Sequence, residues 1–550
     1  AETIGYRAFA NCTSMTSASL KSVGSIGKEA FFCCRKLESL KIDKAETIGD
    51  NAFASCSITS INIPVTVKTI GEYAFSDCSK LVSVEIAGAE TIGCHAFSNC
   101  TSMTSASILA IVKTIGEYAF SDCSKLESVE IGGAETIGYR AFANCTSMTS
   151  ASLKSVGSIG KEAFFCCRKL ESLKIDKTET IGDNAFANCT SIESVTIKRV
   201  GTISSNVFYG ANLSALTIEV VGIIEAYAFP SSLQSIVIKS VKSIKDSAFA
   251  NCTKLSSVII EAASDISITA DTFKNCKSLV SLTLKSVGSI GDRAFYQFKN
   301  LTAVTIESVG TIGSSAFSYC KELESIKIDG LETIGASAFA NCTKLSSVII
   351  EDASDISIRE YTFKNCESLA SLTLKSVGSI GDEAFYRFKN LTAVTIESVG
   401  TIGSSAFSYC EELEFVKIDG VKTIGMCAFM YCTKLSSVTI EALKSIGTRA
   451  FCYCSSLSSV IINVENIGFT VFGSCPSLTT VTIGKRVSEI SIRDSYTSPF
   501  KGCDKLTSIQ FEDTEGWYYV DSSNRIYIDV TDATINASKL KSESRTWYKE

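Results

Sequence analysis

Histidine is almost missing from this sequence, with a single residue, His95, among 550. General acid–base and nucleophilic catalysis depend on histidine more than on other side chains. His95 stands at a variable position of a repeated motif, where other copies carry Tyr, Arg, Glu or Ser, so we expect a solvated side chain. The common phosphate-binding, dinucleotide-binding, nucleophile-elbow and zinc-protease motifs are also missing. The sequence therefore predicts a protein that is not an enzyme, without catalytic residues and without a cofactor.

An excess of basic charge and long apolar runs are missing as well. The chain has 52 Lys and Arg against 58 Asp and Glu, a net charge of −6, whereas nucleic-acid partners call for basic excess. No run approaches the ~18 apolar residues of a membrane span. The first residues, Ala1–Gly5, already belong to a repeat and do not form a signal peptide. We expect no nucleic-acid partner, no membrane span, and a mature fragment whose export signal and N-terminal cap lie outside this chain.

One short motif fills most of the sequence. Its pattern is I-G-x-x-A-F-x-x-C-x-x-L-x-x-[VIL]-x-[IL], as in Ile312–Ile328. The motif phenylalanine occurs 23 times, at positions 9, 31, 53, 75, 97, 120, 142, 164, 186, 208, 229, 249, 273, 295, 317, 339, 363, 385, 407, 429, 451, 472 and 500. Most spacings are 22 residues; the exceptions include short spacings before Phe229 and Phe249 and long ones before Phe273, Phe363 and Phe500. A fixed period of this length predicts a solenoid.

The motif also predicts the structure of one coil. The alternation at its end indicates a short strand with one apolar face, and neighbouring units stack these strands as a parallel sheet. An apolar pair such as Val309 and Ile312 indicates a second short strand, after which Gly313 supplies backbone freedom for the turn. The Ala-Phe step places a ring inside every coil, as a stack along the convex side. We expect a β-rich or α/β solenoid, a horseshoe-like arc of about 23 repeats with the parallel sheet on the concave face.

These residues resemble the BspA-like, or Treponema pallidum type, leucine-rich repeat family. The resemblance covers residues 1–511, which we interpret as the repeat array. The family commonly has proline after the strand, and here only Pro64 holds that place. Residues 512–550, with Gly516–Val520 and Trp547–Lys549, resemble the C-terminal caps of bacterial members. The resemblance implies a surface-exposed or secreted protein, and several members are adhesins that bind host proteins or other microbes.

The 24 cysteines follow the repeat. Nineteen stand three residues after the motif phenylalanine, and in the other four units this place holds Ala211, Ser232, Phe298 and Phe388. A cysteine of a structural disulfide would not be exchanged for phenylalanine, whereas a small buried apolar residue can be. We predict a ladder of reduced, packed thiols. The Cys452-x-Cys454 spacing is not that of a zinc site, so no metal is expected.

The outward residues of the predicted strands form two columns on the sheet. One is mostly serine and contains a single aromatic residue, Phe415, a natural anchor for a partner. The other is mixed and includes Thr305, Lys327, Ile349 and Lys417. So shallow a face suits an extended partner better than an enclosed small molecule. Serine and threonine columns are also ordinary solvated strand residues, and both interpretations stay open.

Insertions and duplications offer further candidates. Two long units add two residues each, in Ser264–Ile268 and Ser354–Ile358, and we select Asp265 and Asp355 because insertions in solenoids often lie at binding faces. Residues 247–330 nearly repeat as 337–420, and 1–56 as 134–189. Recent block duplication would suit multivalent contact.

Two functional hypotheses remain. The first is a non-enzymatic, adhesin-like scaffold at the cell surface or secreted, with a host protein, an extracellular-matrix protein or other microbial cells as partner. The alternative is a structural role, in which uniform arrays self-associate into a surface layer.

Overall fold

The computed structural model describes residues 2–108, 111–359, 361–494 and 496–550, and for residues 264–265, 354–355 and 441–442 it describes the backbone alone. The backbone forms two compact units: unit 1 has residues 1–263 and 271–279, and unit 2 has residues 264–270 and 280–550. Within these ranges there are 44 strands and one helix. Each unit is a solenoid of short parallel strands, which confirms the predicted β-rich repeat fold.

Unit 1 alternates two kinds of strand along the chain. The first strand of a coil has four residues, the second has two to four, and in three coils both merge into one ten-residue strand. In chain order the strands are β1 (Thr3–Ile4), β2 (Ser17–Leu20), β3 (Ser25–Ile26), β4 (Ser39–Ile42), β5 (Thr47–Ile48), β6 (Ser60–Ile63), β7 (Thr69–Ile70), β8 (Ser83–Ile86), β9 (Thr91–Ile92), β10 (Ser105–Ile108), β11 (Thr114–Ile115), β12 (Ser128–Ile131), β13 (Thr136–Ile137), β14 (Ser150–Leu153), β15 (Val156–Ile159), β16 (Ser172–Ile181), β17 (Ser194–Ile203), β18 (Ala215–Ile224), β19 (Ser235–Ile238), β20 (Val241–Ile244) and β21 (Ser257–Ile260).

Unit 2 follows the same alternation and ends in a segment of different structure. Its elements are β22 (Ala263–Ile268, whose first residue belongs to unit 1), β23 (Ser281–Leu284), β24 (Val287–Ile290), β25 (Ala303–Ile306), β26 (Val309–Ile312), β27 (Ser325–Asp329), β28 (Thr333–Ile334), β29 (Ser347–Glu351), β30 (Ala353–Ile358), β31 (Ser371–Lys375), β32 (Val377–Ile380), β33 (Ala393–Glu397), β34 (Thr401–Ile402), β35 (Phe415–Asp419), β36 (Thr423–Ile424), β37 (Ser437–Ile446), β38 (Ser459–Ile467), β39 (Thr480–Ile483), β40 (Glu489–Ile490), β41 (Ser508–Phe511), β42 (Trp517–Asp521), β43 (Asn524–Tyr527), α1 (Ala533–Ser542) and β44 (Trp547–Lys549). The predicted second strand of each coil is thus confirmed.

Alternation decides which residues of a strand form the core. In β6, Ile61 and Ile63 are buried whereas Ser60 and Asn62 are exposed. Parallel pairing with β8 keeps this order, because Ile61 lies beside Val84 and Ser60 beside Ser83. Every coil therefore adds its aliphatic side chains to the same inner layer.

One phenylalanine per coil stacks on those of the neighbouring coils. From Phe9 to Phe208 in unit 1, successive ring centroids are 5.0 to 5.6 Å apart and the planes lie within 17° of each other. From Phe295 to Phe500 in unit 2 the separations are 5.0 to 5.9 Å. These separations are typical of stabilising aromatic pairs. The predicted phenylalanine stack is confirmed in both units.

The repeated cysteines form a second column. Eighteen of the nineteen are buried, Cys12 is half-buried, and all 24 thiols of the chain are free. Each of these eighteen buried Sγ–H groups donates to the carbonyl oxygen of the phenylalanine one coil earlier, for example from Cys78 to Phe53 and from Cys342 to Phe317, both at 3.2 Å. Burial raises the pKa of the Cys410 thiol to about 12. The predicted buried positions are confirmed, and the hydrogen bond explains why sulfur suits this place.

The glycine of the Ile-Gly pair has a different role from the one expected. Its φ is not in the left-handed region, but a Cβ on Gly313 would lie 2.6 Å from the carbonyl carbon of Gly291 in the coil before. Close approach of two backbones, rather than conformational freedom, therefore requires glycine here. Left-handed φ is found instead at two other residues of the turn, such as Tyr73 (55°) and Asp77 (57°).

These turn residues form a third ladder between coils. The N–H groups of Tyr73, Phe75 and Asp77 donate to carbonyl oxygens of the next coil at 2.9, 2.7 and 2.9 Å. The turns of successive coils are thus hydrogen-bonded to one another as regularly as the strands are, although the turn residues do not form strands.

Candidate functional site

The strand register gathers most of the predicted binding residues into one column. Thr305, Lys327 and Ile349 are direct neighbours on β25, β27 and β29, and Lys417 follows further along the same column. We call this set the variable column; it consists of Thr305, Lys327, Ile349, Thr373, Thr395 and Lys417. At ~4.8 Å per strand it extends over about 24 Å.

A second column of small side chains runs beside it. We call it the serine column; in unit 2 it consists of Ala303, Ser325, Ser347, Ser371, Ala393, Phe415, Ser437 and Ser459. The Phe415 side chain is flanked by Ala393 and Ser437, and the residue is 54% exposed. Because its neighbours are small, the ring projects from an otherwise low face.

Ion pairs between coils hold the two lysines of the variable column. Lys417 Nζ lies 2.6 Å from Glu397 Oε1, and this contact raises the pKa of Lys417 and lowers that of Glu397. Lys327 Nζ lies 3.3 Å from Glu351 Oε2, and Lys375 pairs with the same carboxyl group at 3.6 Å. Exposed pairs of this kind are weak, because water and salt screen them. A partner could therefore replace them at little cost.

The two aspartates of the long units are not on this face. Asp265 and Asp355 belong to β22 and β30, which are second strands, and their side chains lie outside the described residues. The pairing of β30 with β32 shifts register between Ala353 and Ser357. The two extra residues of that unit are thus accommodated within a strand as a bulge. The structure brings together five of the seven candidates and leaves these two elsewhere.

Unit 1 carries a related surface on its first strands. A shallow depression of about 530 Å³ there is lined mainly by Ser60, Ser83, Ser105 and Ser128, with Glu85 and Glu130 at its side. No aromatic residue lines it. The outer face of the first strands is therefore open and polar in both units, and Phe415 distinguishes unit 2.

The turns of unit 2 form a cavity that was not predicted from the sequence. It measures about 540 Å³, and we call it the turn cavity; it is lined by Tyr361, Lys364, Asn365, Cys366, Glu367, Glu383, Ala384, Tyr386, Arg387, Phe388, Lys389 and Asn390. Two signals could have indicated it: Phe388 replaces a ladder cysteine, and the unit before Phe363 is two residues longer than usual.

Two features of the described residues concern metal binding and the membrane. Across the ranges that the structure describes, no three His, Cys, Asp or Glu side chains are grouped so that they could hold a metal ion. In the same ranges, no helix has both the length and the apolar character that crossing a membrane requires.

A parallel solenoid with one leucine-rich strand per coil defines a leucine-rich repeat protein. The family model described as "BspA type Leucine rich repeat region (6 copies)" matches overlapping windows that together run from residue 2 to residue 507: 2–127, 46–169, 90–214, 157–280, 201–324, 242–370, 288–414 and 378–507. This chain belongs to the BspA-type leucine-rich repeat family. Leucine-rich repeat proteins are commonly scaffolds for protein interaction, and the family is typically not catalytic.

Several solved structures are similar to the chain. A leucine-rich repeat protein from Bacteroides ovatus is 23% identical over 90% of this chain and 88% of its own, with a TM-score of 0.23. The leucine-rich repeat protein of T. pallidum is 28% identical over 26% of this chain and 71% of its own, with a TM-score of 0.24. A leucine-rich cell surface protein from Faecalibacterium prausnitzii is 18% identical over 83% and 88%, with a TM-score of 0.20. No curated protein matches. The assignment to the family therefore rests on the repeat model.

Proposed function

We propose that this protein is an adhesin-like scaffold, at the cell surface or secreted, that binds a protein partner through the outer face of its first strands. The observation that carries the proposal is Phe415, an exposed ring among small side chains on an in-register parallel sheet. Protein interfaces are often centred on an aromatic residue that contributes much of the binding energy, surrounded by contacts that contribute little.

The shape of the face indicates the kind of partner. The variable column extends over about 24 Å at ~4.8 Å per strand, and its side chains lie beside one another on successive strands. A folded or extended surface of another protein fits this geometry better than a small molecule. The proposed partner is a host protein, an extracellular-matrix protein or a protein on other microbial cells.

Lys327 and Lys417 have a different role in the proposal. They are exposed and paired with carboxylates of neighbouring coils. On binding, they can exchange these carboxylates for acidic groups of the partner, which affects association rate and orientation more than affinity.

The decisive experiment captures partners from host-cell and extracellular-matrix extracts on the immobilised full chain. Phe415→Ser introduces the residue that Ser325 already provides at the duplicated position, so the fold should tolerate it. Met426→Ser is the matched control, because Met426 is also 54% exposed but lies outside both columns. For a hot-spot residue worth about 2 kcal/mol, Phe415→Ser should weaken binding about 30-fold.

The outcomes separate the proposal from its alternatives. The proposal would be supported by a partner whose binding is saturable, is retained by the Met426→Ser variant and is lost in the Phe415→Ser variant. A partner that ignores Phe415→Ser, or recovery of only further copies of this chain, would refute it; the latter would favour a self-associating array.

A further inference from the structure

The turn cavity differs from the sheet face in depth and in chemistry. Its volume of about 540 Å³ lies within the range of roughly 300–1,000 Å³ that small-molecule sites occupy. Three aromatic residues line it: Tyr361, Tyr386 and Phe388, of which Phe388 is 7% exposed and packs edge-on against Phe385 at 5.7 Å. The cavity is therefore a concave pocket with an aromatic wall, of a size that suits a mono- or disaccharide.

Three cations line the pocket without carboxylate partners. In the described part of the chain, Lys364, Arg387 and Lys389 make no ion pair, unlike Lys344 and Lys434, each of which pairs with a glutamate one coil earlier. Their hydrogen-bond donors are therefore available to a ligand.

Aromatic rings position two of these cations. Arg387 Cζ lies 5.2 Å from the Tyr386 ring and 5.3 Å from the Tyr409 ring, and Lys364 Nζ lies 4.9 Å from the Tyr361 ring. Cation–π contacts hold a guanidinium or ammonium group in place but do not consume its N–H groups. The side chains are thus ordered before a ligand arrives.

Acceptors line the same pocket. Asn365 donates its amide hydrogen to Asn341 at 2.9 Å and Asn390 donates to the carbonyl oxygen of Glu367 at 2.5 Å, which leaves their amide oxygens as acceptors. The carboxylates of Glu367 and Glu383 add further acceptors and negative charge. This negative charge opposes a polyanion such as a nucleic acid, but it can accept hydrogen bonds from hydroxyl groups.

We propose that the turn cavity binds an anionic saccharide, a sugar ring that carries one carboxylate or one sulfate group. Arg387 and the two lysines bind the acidic group. The amide oxygens and carboxylates accept the sugar hydroxyls, and the aromatic wall contacts the C–H face of the ring. This site is separate from the sheet face and does not depend on the function proposed for that face.

The internal duplication supports a distinct chemistry at this place. Residues 247–330 and 337–420 differ at 11 of 84 aligned positions, and four of these line the turn cavity. The lining residues Tyr361, Glu367, Glu383 and Arg387 correspond to Asp271, Lys277, Arg293 and Gln297 in the earlier copy. The twelve lining positions have thus diverged more than the rest: Arg387 adds one cation, whereas Glu367 and Glu383 replace two cations of the earlier copy by hydrogen-bond acceptors.

The test is calorimetric titration of the full chain with four probes: a galacturonate disaccharide, a sulfated disaccharide, a neutral disaccharide of the same size, and inorganic sulfate. We expect at least one acidic disaccharide to bind, and at least tenfold more tightly than the neutral one or than sulfate. Arg387→Gln, the residue of the earlier copy, should weaken this binding at least tenfold, and Lys364→Gln should also weaken it. Arg449→Gln, an exposed arginine elsewhere in unit 2, is the charge-matched control.

The carboxylated and sulfated probes identify the acidic group. Binding of neither, equal binding of the neutral disaccharide, or equal binding of inorganic sulfate would overturn the proposal. Unchanged affinity in both Arg387→Gln and Lys364→Gln, with unchanged melting curves, would overturn it as well.

Discussion

The repeated glycine provides a sharp test of how the coils pack. A Cβ on Gly313 would lie 2.5 Å from the backbone nitrogen of Asp292 and 2.6 Å from the carbonyl carbon of Gly291. A Cβ on Gly291 would meet the carbonyl oxygen of Ile268 at 3.2 Å and nothing closer. Both glycines end the same Ile-Gly motif and neither has left-handed φ. Substitution by alanine therefore isolates the effect of space between neighbouring backbones.

We expect Gly313→Ala to destabilise its region by about 1–3 kcal/mol or more, since overpacking against backbone can be relieved only by moving a coil. Gly291→Ala should be close to neutral, because a few tenths of an ångström suffice and alanine lowers the entropy of the unfolded chain, which is worth about 0.4–1 kcal/mol. Repeat arrays need not unfold in one step. The suitable assay is therefore hydrogen exchange read by peptide mass spectrometry.

In that assay, Gly313→Ala should accelerate exchange in residues 291–335 and leave distant coils of unit 2 unchanged. Equal effects of the two substitutions would refute the packing argument. Such a result would indicate that glycine is needed here for its conformational freedom and not for the close approach of two backbones.

Three further predictions follow from other contacts. Cys410 should resist alkylation in the native protein at pH 8, because burial keeps its thiol protonated until pH approaches its pKa of about 12, whereas the half-buried Cys94 should react; equal labelling rates by mass spectrometry would contradict this. Lys417→Ala should raise the pKa of Glu397 toward its usual value, because the ion pair lowers that pKa. The ion pair stabilises the fold above the usual glutamate pKa, and this stabilisation is lost as the pH falls through the lowered pKa of Glu397. An unchanged titration of the Glu397 carboxyl group by NMR would contradict this prediction. Asn536→Ala should cost about 1–3 kcal/mol, because it removes the buried hydrogen bonds from the Asn536 amide to the carbonyl oxygens of Ile509 and Val530. We propose that residues 512–550 cap the array, and a denaturation curve unaffected by this change would count against that role.

Periodicity was sufficient to predict what each coil repeats. The strand, the second strand, the phenylalanine stack and the buried cysteine are set by residues within one unit, and 23 copies make each pattern unambiguous. Membership of the two columns follows in the same way, since alternate residues of a strand face the same side.

Contacts between coils were harder to predict. The partner of Lys417 is Glu397, twenty residues earlier, and its choice depends on rotamers rather than on the motif. Asp292 Oδ1 accepts a hydrogen bond from the backbone N–H of Ser314 in the next coil at 2.6 Å, and Asp382 accepts one from Ser404 in the same way. This contact requires an aspartate at a variable position of the motif, so the repeat pattern alone does not indicate it. Left-handed φ at residues such as Tyr73 opposes their intrinsic preference and is imposed by the lateral hydrogen bonds of the turn. The turn cavity combines side chains of two coils, so Phe388 and the long unit before Phe363 mark its place but not its lining.

The hydrogen bonds of the repeated thiols have a consequence for how the coils close on one another. The acceptor of Cys78 is the carbonyl oxygen of Phe53, so the thiol finds its place when one coil closes on the previous one. No oxidation step is part of this closure, since all 24 thiols are free in the folded chain. The repeated thiols therefore reach their packed places without forming a disulfide. Each buried sulfur of the ladder fills space in the core, and it becomes inaccessible to oxidants when its coil packs against the previous one.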